Sequence, residues 1–118
     1  MAAKQILIID DDKDLCKEIA EALRENGYSV QKTSDPLEGR DFIVKHHFDV
    51  VFVDYKMPHL NGIEMLRIIK DKDPETKIFI MSGSPSIERF LEEEKAAHLV
   101  DGIIHKPFEE KDLLDRIG

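Results

Sequence analysis

Apolar positions along this chain follow two alternating rhythms. Short runs rich in apolar and β-branched residues recur at Gln5 to Asp10, Tyr28 to Lys32, Val50 to Asp54, Lys77 to Ser82 and Gly102 to His105. Such runs read as strands covered on both faces, the kind found in parallel sheets. Between them apolar residues return at helical spacing: Leu15, Ile19 and Leu23 in one segment, Phe42 and Ile43 in a second, Ile63, Leu66 and Ile69 in a third. Each stripe can cover one face of a sheet. Ser34 or Asp35 before Pro36, and Ser84 before Pro85, pair a capping side chain with a proline suited to the first helical turn. Asn26-Gly27 closes the first helix, Asp12 is read as its N-cap, and a short last helix is expected over Glu109 to Ile117.

Strict alternation of strand and helix predicts an α/β fold with a doubly wound, five-stranded parallel sheet and helices on both faces, because right-handed crossovers place them there. In open sheets of this kind ligands bind outside the carboxyl ends of the strands. Four of the five strand ends carry a polar functional group. The first runs into Asp10-Asp11-Asp12, the third ends in Asp54, the fourth in Ser82, and the fifth runs into His105-Lys106-Pro107.

Length and composition narrow the possibilities. The 118 residues suffice for one domain with a real core, read here as residues 1–118, and no apolar stretch approaches the roughly 20 residues of a membrane span. The opening MAAKQILIIDDD passes directly from a strand into acids and does not resemble a signal peptide, so a cytoplasmic location is expected. The single cysteine, Cys16, permits no internal disulfide and no thiolate cluster, and is read as core packing. A net charge of −8 without a basic cluster argues against direct nucleic-acid binding.

Three acids from two strands, a hydroxyl and a lysine converging on one sheet edge call for a cation. Crowded carboxylates raise one another's pKa or recruit a metal, and an all-oxygen donor set suits Mg²⁺. Asp54 could then attack phosphorus to form an acyl phosphate, with the metal and a lysine neutralising the transferring group and a serine bonding a phosphate oxygen. Other patterns carry less. Asp10, Asp12, Asp14 and Glu21 match part of an EF-hand loop, but Leu15 stands where that loop needs glycine. His46 and His47 are expected on the second helix, where neighbours point about 100° apart and cannot clamp one metal. His59 receives no role. Asp10-x-Asp12 resembles the nucleophile motif of haloacid-dehalogenase-type phosphatases, which would make Asp10 the nucleophile, although Asp14 stands where that motif has Thr or Val.

Taken together, the acidic pair Asp10-Asp11, then Asp54 followed by Met57-Pro58 and Gly62, then Ser82, then Lys106-Pro107, resemble the receiver domain of two-component response regulators over essentially the whole chain. The resemblance implies a flavodoxin-like strand order of 2-1-3-4-5, which a chemotaxis member of that family illustrates. It implies Asp54 as phosphoacceptor, assisted by Ser82 and Lys106. It implies Mg²⁺ held by Asp11, Asp54 and the backbone carbonyl of Lys56, with Asp10 acting largely through water, and a cis bond before Pro107. The implied partners are a sensor histidine kinase or histidine phosphotransfer protein and a downstream effector met through the fourth helix, fifth strand and last helix. The implied role is a phosphoacceptor signalling domain that catalyses only its own phosphorylation and dephosphorylation. One position departs from the pattern: three residues before Lys106, where many members carry Tyr or Phe, stands Ile103. An aromatic switch there is not expected, and signalling is assigned to Ser82 and the loop after it. The chain is read as either a stand-alone regulator or a domain of a longer protein, and the short last helix, Glu109 to Ile117, speaks for the second.

Overall fold

A computed structural model describes residues 3–57 and 59–118, so Pro58 of the loop motif lies outside the described residues. Among the described residues five strands and five α-helices alternate: β1 (Gln5–Ile9), α1 (Lys13–Glu25), β2 (Ser29–Thr33), α2 (Pro36–Lys45), β3 (Val50–Asp54), α3 (Gly62–Lys72), β4 (Lys77–Ser82), α4 (Ile87–Glu93), β5 (Gly102–His105) and α5 (Glu110–Ile117). All pairings are parallel and the sheet order is β2-β1-β3-β4-β5, as expected.

The two-residue period of the strands sorts the core into two layers. Leu7, Ile9, Val51, Val53, Ile78 and Ile80 face one side with residues of α2, α3 and α4. Ile6, Ile8, Val50, Phe52, Phe79, Met81 and Ile104 face the other with residues of α1 and α5. Burying each such side chain contributes about 1.5–3 kcal/mol, so the central strands fix the register of the sheet.

Local chemistry sets the element ends, and here the sequence reading needs correction. β1 stops at Ile9 because the Asp10 carboxylate accepts the Asp12 N–H at 3.0 Å and bends the chain. Asp12 then caps α1 by accepting from Leu15 N. β2 begins at Ser29, since Tyr28 still donates its N–H to Leu23 of α1 after the left-handed Gly27 (φ +90°). Asp35 caps α2, with Pro36 in its first turn as expected. Ser84 does not cap α4. Its hydroxyl oxygen accepts from Ser86 N and the Ser82 hydroxyl oxygen accepts from Ser84 N, so serine turns occupy this stretch and the helix starts at Ile87. A 3₁₀ turn at Ala97–Leu99, not foreseen from the sequence, leads into β5.

His46 and His47 are not on α2, which ends at Lys45; His46 is extended (φ −132°, ψ 155°). The His47 ring reaches Asp73 Oδ2 at 2.5 Å and Asp49 Oδ1 at 3.3 Å, clasping the loop before β3 to the end of α3.

Candidate functional site

Register explains why distant residues meet. Ile9 pairs with Val53 and Asp54 with Met81, so Asp10, one residue past β1, comes level with Asp54 at the end of β3. Ser82 pairs with His105, which sets Lys106 just beyond Ser82, and the Lys106 N–H donates to the Ser82 carbonyl at 2.8 Å. Gly62 brings α3 against this edge: a Cβ there would stand 2.8 Å from the Asp54 carbonyl oxygen and 2.9 Å from Tyr55 Cα, so only glycine fits without moving backbone. The Lys106–Pro107 bond is cis.

Asp10, Asp54 and Ser82 are buried, Lys106 is half-buried, and Asp11 and Lys56 are exposed. Lys106 Nζ stands 2.8 Å from Asp10 Oδ2 and 3.3 Å from Asp54 Oδ1. The shorter contact is a charge pair without hydrogen-bond alignment, which leaves Asp10 Oδ2 the one buried side-chain oxygen among the described residues lacking a hydrogen bond. Asp10, Asp11 and Asp54 each offer an oxygen within 4.8 Å of the others. An orphaned buried oxygen beside two further carboxylates fits a hard divalent cation. Lys56 lines the same cleft with Asp54, Ser82 and Lys106.

The electrostatics follow from the burial. Desolvation first, and the Asp10 charge second, push the Asp54 carboxyl up to about 7 against the partial offset of Lys106. Burial alone would lower the Lys106 pKa, but its contacts with Asp10 and Asp54 outweigh that and hold it above its ordinary value. The arrangement therefore presents a buried, electron-rich carboxylate, a fixed ammonium and a hydroxyl around one open cleft.

The remaining sequence candidates take structural places. His59 is exposed in a left-handed conformation (φ 70°). Asp12 serves α1 as its cap, which removes it from any EF-hand-like loop. Asp10 is the more enclosed of the two acids considered as nucleophile, fully buried behind Lys106, whereas Asp54 lines the cleft.

Sequence reading missed two contacts. Cys16, taken as core packing, is buried but also donates its thiol to the Asp10 carbonyl at 3.1 Å, and burial followed by the Asp10 charge pushes its pKa up to about 11. Tyr55, next to Asp54, stacks on Phe90 of α4 with ring centroids 5.9 Å apart. No sequence period links positions 55 and 90, so only the fold could reveal the pair.

The family model for the response regulator receiver domain matches residues 6–118. Response regulator MprA of Mycobacterium sp. (strain KMS) is 31% identical over 116 residues, which cover 96% of this chain and 48% of MprA. The chain thus spans about half the length of the curated relatives it matches. A CheY-like response regulator receiver domain protein from Methanospirillum hungatei JF-1 is similar in structure with a TM-score of 0.89 at 30% identity, over 98% of this chain and 91% of that one. The BeF3-activated receiver domain of DrrB, a Thermotoga maritima protein, gives a TM-score of 0.85 at 28% identity, over 98% and 95% of the two chains. With the strand order, the acidic pair and the strand-end residues already in place, these likenesses fix the family: this chain belongs to the response regulator receiver domains.

Proposed function

We propose that Asp54 is the phosphoacceptor of a phosphorylation-controlled switch in two-component signalling. The observation that carries this reading is the placement of a buried carboxylate on a cleft that it shares with Ser82 and Lys106, with the Lys106 ammonium 3.3 Å from its Oδ1. A carboxylate oxygen of Asp54 attacks the phosphorus of a phosphohistidine on a kinase or phosphotransfer partner. The P–N bond breaks, its electron pair stays with the imidazole, and an acyl phosphate remains on Asp54. Lys106 neutralises charge on the transferring group, and the Ser82 hydroxyl donates to one of its oxygens. Asp11, Asp54 and the Lys56 carbonyl would hold Mg²⁺, with Asp10 acting through water, and the ion would supply charge neutralisation when bound.

The domain has no separate substrate to turn over; it accepts a phosphoryl group and slowly loses it to water. Its partners are a histidine kinase or phosphotransfer protein on the donor side and an effector reached through α4, β5 and α5. We place it in the cytoplasm, where such kinases present their phosphohistidines, and among the described residues no helix is long and apolar enough to cross a membrane.

Incubation with Mg²⁺ and acetyl phosphate, followed by intact mass measurement, tests the assignment. One phosphoryl group should be added, removable by hydroxylamine, and Asp54→Asn should take up none. Labelling of Asp54→Asn together with loss in Asp10→Asn would transfer the nucleophile to Asp10.

A further inference from the structure

Tyr55 follows Asp54 and is pinned at both backbone groups: its N–H donates to the Met81 carbonyl at 2.9 Å, and its carbonyl accepts from Gly62 N at 3.0 Å. From that fixed position its ring lies almost parallel to Phe90, the planes 11° apart. The Arg89 guanidinium carbon stands 5.4 Å from the centre of the Phe90 ring. This is an offset aromatic stack with a cation against it, and both partners' geometries are of the favourable kind.

The helix that carries Phe90 is short, and besides the stack it is held by two buried residues and by a bond from Arg67 of α3 to the Glu94 carbonyl at 2.7 Å. It has seven residues, its N-cap Ser86 makes no side-chain capping bond, and Ile87 and Leu91 are its buried residues. Its first turn hangs from the loop that begins at Ser82, whose hydroxyl oxygen is engaged by Ser84 N at 3.0 Å. A Ser82 hydroxyl that turns toward a phosphoryl oxygen on Asp54 donates its own proton while still accepting from Ser84 N, and so draws the loop with it. Tyr55 stays with β3, so Phe90 must slide across it.

We propose that Tyr55 is a positioning residue whose stack with Phe90 holds α4 in its resting register, so that phosphorylation is read out against this contact. The inference rests on the reading of Asp54 and Ser82 given above. It also supplies what Ile103 cannot: an aromatic contact tied directly to the acceptor strand and to the helix that moves. Because coupling is reciprocal, a contact that favours the resting register weakens the binding of any group that favours the other.

The test measures the affinity of BeF3⁻ in the presence of Mg²⁺, together with amide chemical shifts across α4, for the wild type, Tyr55→Leu, Phe90→Leu, the double variant and Tyr55→Phe. The leucine variants should bind BeF3⁻ roughly 2- to 10-fold more tightly, and their free α4 amides should already lie part-way to the bound positions. The double variant should be no tighter than either single one, since both remove the same contact. Tyr55→Phe, which keeps the stack, should match the wild type. Should a leucine variant fail to fold, Phe90→Met keeps the apolar volume without the flat ring and carries the same expected tightening. Leucine variants that bind no more tightly than the wild type, or whose effects sum in the double variant, overturn the positioning role while leaving the phosphoacceptor reading intact. A wild type that does not bind BeF3⁻ at all overturns both.

Discussion

Asp10 and Lys106 meet 2.8 Å apart although they leave strands, β1 and β5, that are separated in the sheet by β3 and β4. The ammonium reaches across the ends of both intervening strands and touches Asp54 on the way. One cation thus serves two buried carboxylates.

Removing that cation should be costly. Lys106→Met leaves Asp10 and Asp54 facing each other without a counter-charge, and should lower the stability of the metal-free protein by about 2–4 kcal/mol in urea unfolding. Mg²⁺ should restore much of the loss. Equal stability of variant and wild type in a chelator would show that solvent, and not Lys106, balances the acids.

Asp54 sets a pH dependence with a definite sign. Its folded pKa of about 7 lies above its unfolded value near that of a free carboxyl, so the folded state binds this proton more tightly. The resulting stability is fully present below the unfolded pKa and is lost as pH rises through about 7. Between about pH 5 and 8 the metal-free wild type should lose roughly 1–3 kcal/mol relative to Asp54→Asn, measured by thermal unfolding in a chelator. Parallel profiles for the two proteins would contradict the assignment.

Asp11 tests the cation site apart from the chemistry. It is exposed, so Asp11→Asn should cost little folding stability and relieve repulsion, yet weaken Mg²⁺ binding by roughly an order of magnitude or more. Titration calorimetry separates the two effects. Unchanged affinity would remove Asp11 from the ligand set.

At the amino ends of the strands, opposite the cluster, His47 should give a smaller pH effect. Its contact with Asp73, and secondarily Asp49, raises its pKa, while a backbone bond from Glu75 and the His47 contact hold Asp73 below its ordinary value. The contribution of His47 is therefore present below its unfolded pKa and lost as pH rises through the raised folded value. That of Asp73 is present above its unfolded pKa and lost at acid pH. The melting-temperature difference between wild type and His47→Gln should be larger near pH 6 than near pH 9. A difference independent of pH would reduce the clasp to packing.

Much of this molecule could be read before it was seen. The apolar runs of β1, β3 and β4 are covered on both faces, so composition alone marked them, and the strand-end rule then pointed to Asp10, Asp54, Ser82 and Lys106. The start of α4 was not legible, because Ser84 and Pro85 carry the chemistry of a cap while the competing hydroxyl bonds to Ser84 N and Ser86 N are decided only in three dimensions. His47 misled for a related reason: its partners Asp49 and Asp73 come from two loops, and helical periodicity at Phe42 and Ile43 does not reveal that α2 stops at Lys45. Tyr55 and Phe90 belong to the same class of long-range contact.

The span between Asp10 and Lys106 also bears on how the chain folds. A nascent chain makes Asp10, Asp11 and Asp54 well before the lysine that balances two of them, and β5 pairs with β4 alone at the edge of the sheet. Whenever that last strand is undocked, Asp10 and Asp54 lack the ammonium that balances them. The same order reversed describes how the folded domain opens: a transient loss of β5 takes the ammonium out of the cluster while β1, β3 and β4 remain paired. In this fold β5 carries the counter-charge of the cluster, so the balance of charge at Asp10 and Asp54 depends on the docking of an edge strand.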